Sequence, residues 1–574
     1  MAEKNDEKRN EFIEAYRHLS DPNKYFKRIL IPLVLTGIFI FILPYLLDLL
    51  NVLINIDLLL FYLGGAIPIV LAILYPYILW KNKEVEINEN MHFLITHLRV
   101  LSLAEMGLKD VIKLIGGKKE YGALGEEFRK ISVLTTQWKS TLENAFRFIA
   151  DRTPSKILRD FLDRFSQAIA SGVGHREFIE REQESVMEDY KTMYESSNNV
   201  ITILNEIYVA MLTSIAFLMV FGIISPMITG LNVNTYVYTS SFVLIAAEAC
   251  LLYFVYSFIP KDSIWHKLAK KSDREKQMRK TFYYSILISI ILGVILLFLK
   301  FFISSPMIAI IPYEILATIS LTPLIVPGFY AIKEEDNIAR REKNFMGFLP
   351  NLGSIAAMRR GKIIESLGYL SEKDYGILTE QIKRLYKRLK TRISGKESWE
   401  WFGAETNSNL IQRFSEMFRE ASQVAADPHK SSRMIVENMR KVRDLRFKKL
   451  TILKTTNSLF YGITLGITLT IYISLIIARH IGNATAQMGA VFENLQRTTG
   501  LGGILPSIPS EVFSNVFLII FIVLLLHSFI MALTIKVLRG SHRLSILFYF
   551  VIMSWIVSLT AAATRYFLTG LFGL

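Results

Sequence analysis

A chain of 574 residues that is 51% hydrophobic and only 20% charged is too apolar for an ordinary soluble protein of its length. Its single cysteine, Cys250, excludes an intrachain disulfide and a thiolate metal cage. The formal charge of +15 must sit on whatever lies outside the bilayer, and it calls for an acidic counterpart there.

Taken in order, residues 1–28 are densely charged and carry seven Lys and Arg. They lack the short apolar core and small-residue cleavage site of a signal peptide, so the first span is expected to be retained. Spans need roughly 20 apolar residues each. Nine are predicted: Ile29–Leu50, Leu58–Leu79, Ile207–Gly230, Tyr236–Ile259, Phe282–Leu299, Ile308–Ala331, Ser458–Ala478, Val512–Ile535 and Leu544–Leu568. The fifth is the shortest. Two polar segments of equal length, Lys81–Glu206 and Ile332–Asn457, each lead straight into a span. Lys and Arg placement sets orientation. The connections Asn51–Asp57 and Leu231–Thr235 hold none, Pro260–Thr281 holds eight, Lys536–Arg543 holds three, and Arg479–Glu511 holds only Arg479 and Arg497. This alternation predicts a plasma-membrane protein with a cytoplasmic N-terminus, both polar segments cytoplasmic and an external C-terminus. Arg479–Glu511, with its Gly-rich 500–503 run, Pro506 and Pro509, reads as an irregular external loop.

Both polar segments read as amphipathic helices. In Gln381–Ile393 the apolar Ile382, Leu385, Tyr386, Leu389 and Ile393 recur every three or four positions, with basic residues over much of the other face. Thr153-Pro154 and Asp427-Pro428 read as helix starts, a capping oxygen before a proline at the first helical position. The last helix of each segment should enter the membrane unbroken. Arg176 to Gly222 has no internal Gly or Pro, and from Pro428 to Ala478 the only glycines, Gly462 and Gly466, lie in the span. The segments also match each other. Tyr121-Gly122 parallels Tyr375-Gly376, Trp138 is matched to Trp399 or Trp401, and at an offset of 253 Ile157, Leu158, Phe161, Phe165 and Ala168 fall on Leu410, Ile411, Phe414, Phe418 and Ala421. The expected fold is therefore an all-α polytopic membrane protein of about nine transmembrane helices with two homologous cytoplasmic helical-bundle modules. The second module carries 26 basic and 16 acidic residues against 18 and 20 in the first, so it and the basic 260–281 loop are expected to face something acidic, a partner protein or anionic lipid headgroups. Nucleic acid is set aside, because no recognition motif accompanies the charge.

Catalytic signatures are missing. Gly361-Lys362 and Gly395-Lys396 lack the upstream glycine and the following Ser or Thr of a phosphate-binding loop, and the nine histidines are scattered. No enzyme activity, metal or cofactor is expected. Glu248 and His527 lie mid-span, where ionisable groups are costly. They read as a structural pair or, in the rival class, as part of an ion-coupled transporter. Gly462-x-x-x-Gly466 permits close helix packing, expected within the protein.

Two helical modules that each end in a span, the shared Tyr-Gly-x-Leu match and the turn Gly107-Leu108-Lys109-Asp110-Val111-Ile112 resemble the type II secretion F-domain superfamily. The run from Trp401 to Phe414 and the extra N-terminal spans resemble its archaeal, FlaJ-like archaellum branch. The resemblance implies a membrane platform for an archaellum, with an adhesion pilus or a type II-like secretion system as the alternative. It also implies a cytoplasmic hexameric secretion-type ATPase, pilin-like or archaellin subunits and accessory motor proteins as partners, a homodimer, and no catalytic residues. The ATPase is expected to dock on Lys267, Lys270, Lys271 and Arg274 together with Arg384, Lys387 and Arg388.

Overall fold

Apolar runs interrupted only by short polar turns fold as helices wherever the chain is described, and no β-strand forms among those residues. The computed structural model describes residues 13–17, 25–49, 58–229, 233–260, 262–302, 311–499 and 510–572. Helices α1 (Ile31–Leu49) and α2 (Leu58–Leu101) pack on each other, and the polar half of α2 opens the first module. There follow α3 (Leu108–Gly116), α4 (Ala123–Thr136), α5 (Leu142–Ala150), α6 (Lys156–Ala170) and α7 (His175–Thr229). Next come α8 (Val233–Phe258), α9 (Asp273–Phe302), α10 (Tyr313–Leu321) and α11 (Ile325–Met358). The second module continues through α12 (Ile363–Ser371), α13 (Thr379–Lys390), α14 (Gly395–Thr406) and α15 (Asn409–Gln423) into α16 (Pro428–Thr499). Helices α17 (Ser510–Arg539) and α18 (Ser545–Phe572) end the chain.

The two modules are built alike, down to backbone details that composition cannot imitate. Helices α6 and α15 are both 15 residues long and both start at a serine cap, Ser155 and Ser408, whose side chain accepts from the N–H three residues on. Each cap serine also bonds a residue of the helix that opens its module: Ser155 contacts Asn88 Oδ1 at 2.5 Å, and Ser408 donates to Glu342 Oε1 at 2.6 Å. Left-handed backbone recurs at matching turns, Gly122 with Gly376, Lys139 with Arg392 and Gly172 with Ala425. Phe161 and Phe165 are buried in one copy, as are Phe414 and Phe418 in the other. The modules share one continuous hydrophobic core, while the apolar ends of α7, α8, α16, α17 and α18 form a second.

Helices α7 and α16 are the unbroken rods expected from the sequence, 55 and 72 residues long, or roughly 80 and 110 Å at 1.5 Å per residue. They lie against each other. Below the modules Asn205 Nδ2 donates to Thr456 Oγ1 at 2.9 Å, and Ile201, Leu204 and Leu453 share a small core with Val255, Ile259 and Leu538. Deeper, Tyr208 and Phe460 meet edge to face at 5.2 Å.

Several expectations change. Among the described residues, seven helices are long and apolar enough to cross a bilayer. An eighth is added if the run Gly64–Val70 plus Ala72–Leu101, bent by 47°, counts as one span. Helix α1 coincides with the first expected span. The fifth span, the shortest in the sequence, is a 30-residue helix with only 6% of its apolar window buried, the least covered of the seven. The sixth starts at Tyr313; residues 308–310 lie outside the described residues. Arg479–Glu511 is not irregular throughout: α16 continues to Thr499, because nothing from 483 to 499 except Gly489 opposes a helix, and α17 begins at Ser510, while 500–509 lie outside the described residues. The proline after Thr153 precedes the helix rather than starting it, and Ser155 takes the capping role. Asp427 does cap α16, with Oδ1 accepting from the N–H of His429 and Lys430 at 2.9 and 3.2 Å. Trp138 has no tryptophan counterpart: it stands exposed on the α4–α5 turn, whereas Trp399 is buried in α14.

Candidate functional site at the membrane junction

Residues 262–272 join α8 to α9 without helix. They form a strap that touches both rods, the second module and the turn between α17 and α18. Its first anchor is Asp262. The carboxylate accepts from Tyr194 Oη of α7 at 2.5 Å and from Lys449 Nζ of α16 at 2.9 Å, with Arg446 at 3.9 Å. Burial alone would raise this carboxyl, but Lys449 and Arg446 outweigh it and hold it below the usual range. Lys449, itself buried, also donates to the carbonyl of Pro260 at 3.2 Å. The strap's carbonyl at Asp262 presses on Gly540, whose φ is +64° and whose Cβ, if it had one, would lie 1.8 Å from that oxygen. Glycine is required there on both counts.

The second anchor is the left-handed turn at Asn407, between α14 and α15. Backbone N–H groups of His266 and Asn409 donate to the carbonyls of Asn407 and Ile264, at 3.2 and 2.9 Å. Beneath it Glu334 of α11 accepts at Oε1 from buried Arg341 (2.7 Å) and Asn407 (2.9 Å), and at Oε2 from Arg274 (2.8 Å). Trp265 donates to Glu335, which also accepts from the Ser541 hydroxyl and the His542 backbone N–H in the α17–α18 turn. A motion of either rod therefore has bonded routes into α9, α11 and the last two spans.

The residues expected to dock a partner are brought partly together here and largely neutralised. Lys270 and Arg388 flank the Trp401 ring at 5.5 and 5.7 Å. Lys270 pairs with Glu400 at 2.9 Å, Lys271 with Glu275 at 2.7 Å, Arg274 with Glu334, and Arg384 and Arg388 with Glu405. Lys387 projects from the outer face of α13 with Lys383 and Lys390. Lys267 stands apart, exposed at a cleft of about 420 Å³ that Arg413 and Arg446 also line. In the bilayer region Glu248 and His527 meet, Oε1 to Nδ1 at 2.5 Å, fully buried, and His527 Nε2 faces Thr464 Oγ1 at 3.2 Å. Three helices, α8, α16 and α17, are tied by this contact. Gly462 and Gly466 do not pack within the protein as expected. Among the described residues a Cβ on either would meet no atom within 4 Å, because their side of α16 faces away from the bundle.

Comparison with known proteins follows the same lines. The domain family described as Type II secretion system (T2SS), protein F matches residues 94–223. The chain is 34% identical over 553 residues to the flagella accessory protein J of Methanocaldococcus jannaschii, covering 96% of each chain. It is 32% identical over 546 residues to that of Methanococcus voltae, covering 95% of this chain and 96% of the relative. The chain belongs to the flagella accessory protein J family. An uncharacterized protein of Methanocaldococcus jannaschii is 26% identical over 143 residues, 25% of this chain. No solved structure matches. Like its family, the chain is a multi-pass, all-helical membrane protein. The matched domain begins on α2 three residues before His97 and ends within the apolar part of α7, so it comprises one module and its rod. The second module lies outside that match although it repeats the same helices.

Sequence reasoning missed Asp262, Glu334, Arg341, Asn407 and Lys449. Asp262 carried one usable signal: it is the first acid after a span in a loop whose other charges are mostly basic.

Proposed function

We propose that this chain is the membrane platform of an archaellum-type filament machine. It takes movement from a cytoplasmic secretion-type ATPase at its two modules and carries it along the rods into the bilayer, where pilin-like subunits pass into the growing filament. The observation that carries this reading is the pair of helices that leave a shared module core, remain bonded to each other and continue unbroken into the apolar bundle. A loosely hinged receptor would not need that continuity. In this arrangement the N-terminus and both modules lie in the cytoplasm, and the C-terminus lies outside. The relatives' printed names and the matched secretion domain support the filament reading.

The ATPase is placed on the basic surface around α13 and the strap. Since Lys270, Lys271, Arg274, Arg384 and Arg388 are already paired inside the protein, the outward charge is that of Lys383, Lys387 and Lys390, with Lys267 on the strap side. Exposed pairs contribute about 0–1 kcal/mol each, so several must act together. Reversing Lys383, Lys387 and Lys390 to glutamate should weaken binding of the ATPase to the full chain in detergent at low salt by about tenfold or more. Affinity that does not change would reject this surface. Loss of the platform reading itself would require that the chain recovered from its native membrane carry neither an ATPase nor filament subunits.

A further inference from the structure

The two modules are joined head to tail, and that leaves one half of the same joint open at each end. In the closed joint, α15 of the second module sits in a socket on the first. Arg413 donates to Asn90 Oδ1 and to the Glu120 carbonyl, both at 2.5 Å, and lies 4.0 Å over the Phe93 ring, with the Glu89 charge beside it. Gln412 donates to Glu120 Oε1 at 2.8 Å. Glu420 is received by His97 at 3.0 Å and by Lys118. His97 is held in turn by Tyr121, at 2.9 Å.

The second module has its own copy of that socket. Asn351 donates to Tyr375 Oη at 3.2 Å, in the place of the His97–Tyr121 contact. Asn344 stands where Asn90 stands, Lys343 where Glu89 stands, and Asp374 where Glu120 stands. Among the described residues this socket is unfilled. Lys343, Asn351 and Asp374 are exposed, and Gly347, in the place of Phe93, would meet no atom within 4 Å if given a Cβ. The inserting face has a copy as well, on α6, whose main packing partners among the described residues are α2, α5 and α7. There Arg159, Asp160 and Gln167 take the places of Gln412, Arg413 and Glu420.

The charges on these two leftover surfaces have changed in step. The Arg413–Glu89 relation becomes Asp160–Lys343, with the signs exchanged, and Gln412–Glu120 becomes Arg159–Asp374, a pair of opposite charges. Two positions oppose the fit: Asp163, in the place of Glu416, would approach Glu372 where the closed joint has Lys118, although Lys373 is adjacent to it, and Asp160, unlike Arg413, has no donor for the backbone carbonyl of Asp374, which stands where that of Glu120 does. A head-to-tail joint repeated between chains gives a closed ring if its rotation returns on itself and an open filament if it does not. We propose that the open socket of the second module receives the α6 face of a second copy of this chain, so that two chains form a ring of four modules.

The test uses the full chain in membranes, with Cys250→Ala to remove the native thiol. A chain carrying Asp160→Cys is co-expressed with one carrying Lys343→Cys, and mild oxidation is applied. The proposal expects a disulfide-linked dimer from the mixture and none from either variant alone. A cross-link formed equally by one variant alone, or none in the mixture, overturns it. Charge exchange checks folding independently. Lys343→Asp should lower the dimer fraction about fivefold, the scale of one exposed pair, and adding Asp160→Lys in the same chain should restore it. A dimer indifferent to both changes also overturns the proposal.

Discussion

At the scale of single residues, Asp262 is where the junction is most exposed to damage. Lys449 and Tyr194 both donate to one of its oxygens, so Asp262→Asn would leave the buried Lys449 without its counter-charge and Arg446 with Glu342 alone. Removing one partner of a buried pair costs about 3–5 kcal/mol. The expected outcome is a chain that still inserts and still keeps its module core, but whose strap exchanges backbone amide hydrogens faster and whose filament assembly fails. Protection of residues 262–272 equal to that of the parent chain would show that the backbone bonds at Asn407 are sufficient without Asp262. The anchor was hard to see in the sequence for a physical reason. A carboxylate that neutralises a lysine 187 positions away leaves no local pattern, and the surrounding basic residues look like a solvated loop. Glu248 and His527 were legible, by contrast, because a charge within an apolar run is conspicuous wherever its partner lies. The glycine pair at 462 and 466 was misread for the opposite reason, since spacing fixes which side of a helix is narrow but not what stands opposite it.

At the scale of elements, the rods were the most legible part of the chain. Absence of Gly and Pro over long stretches is a direct statement about helix continuity, and both helices extend at least as far as that reading required. What the sequence did not show is that they are bonded to each other just below the modules, through Asn205 and Thr456. If movement travels as a rigid push, a kink there should stop it. Thr202 is exposed on α7, and Thr202→Pro would remove one backbone hydrogen bond and add a clash, at about 3 kcal/mol or more. We expect the variant to accumulate in the membrane and bind the ATPase as the parent does, with filament growth abolished. Normal filaments from a kinked rod would rule out transmission along α7. The repeat itself was legible in the α6 and α15 match but not in its most telling details, the shared cap serines and the left-handed turns, because Lys139 and Arg392 carry no sequence mark of their conformation.

At the scale of the whole molecule, the modules and the strap are held together through groups that acid should undo in two stages. His92, His97, His266 and His542 all lie well inside, and burial pushes each below its ordinary value, to about 4 for His266 and His542. His266 and His542 also accept a backbone N–H at Nδ1, from Leu268 and Leu544 at 3.2 Å, so protonation there costs a hydrogen bond. The unfolded chain takes up these protons near pH 6.5 and the folded chain does not, so stability falls as pH drops from about 6.5 toward 4. Glu420 acts lower. Burial alone would raise it, but His97 and Lys118 outweigh burial and hold it at about 2. Its contribution is intact above about pH 4.3, the unfolded value, and is lost as pH falls toward 2. Thermal unfolding of the full chain in detergent should therefore shift to lower temperature between pH 7 and pH 5. The variant His266→Asn with His542→Asn, which can keep the acceptor but cannot take the proton, should show a smaller shift. An equal shift in parent and variant would place the acid sensitivity elsewhere, and the polar contact between Glu420 and the first module would be the next group to change.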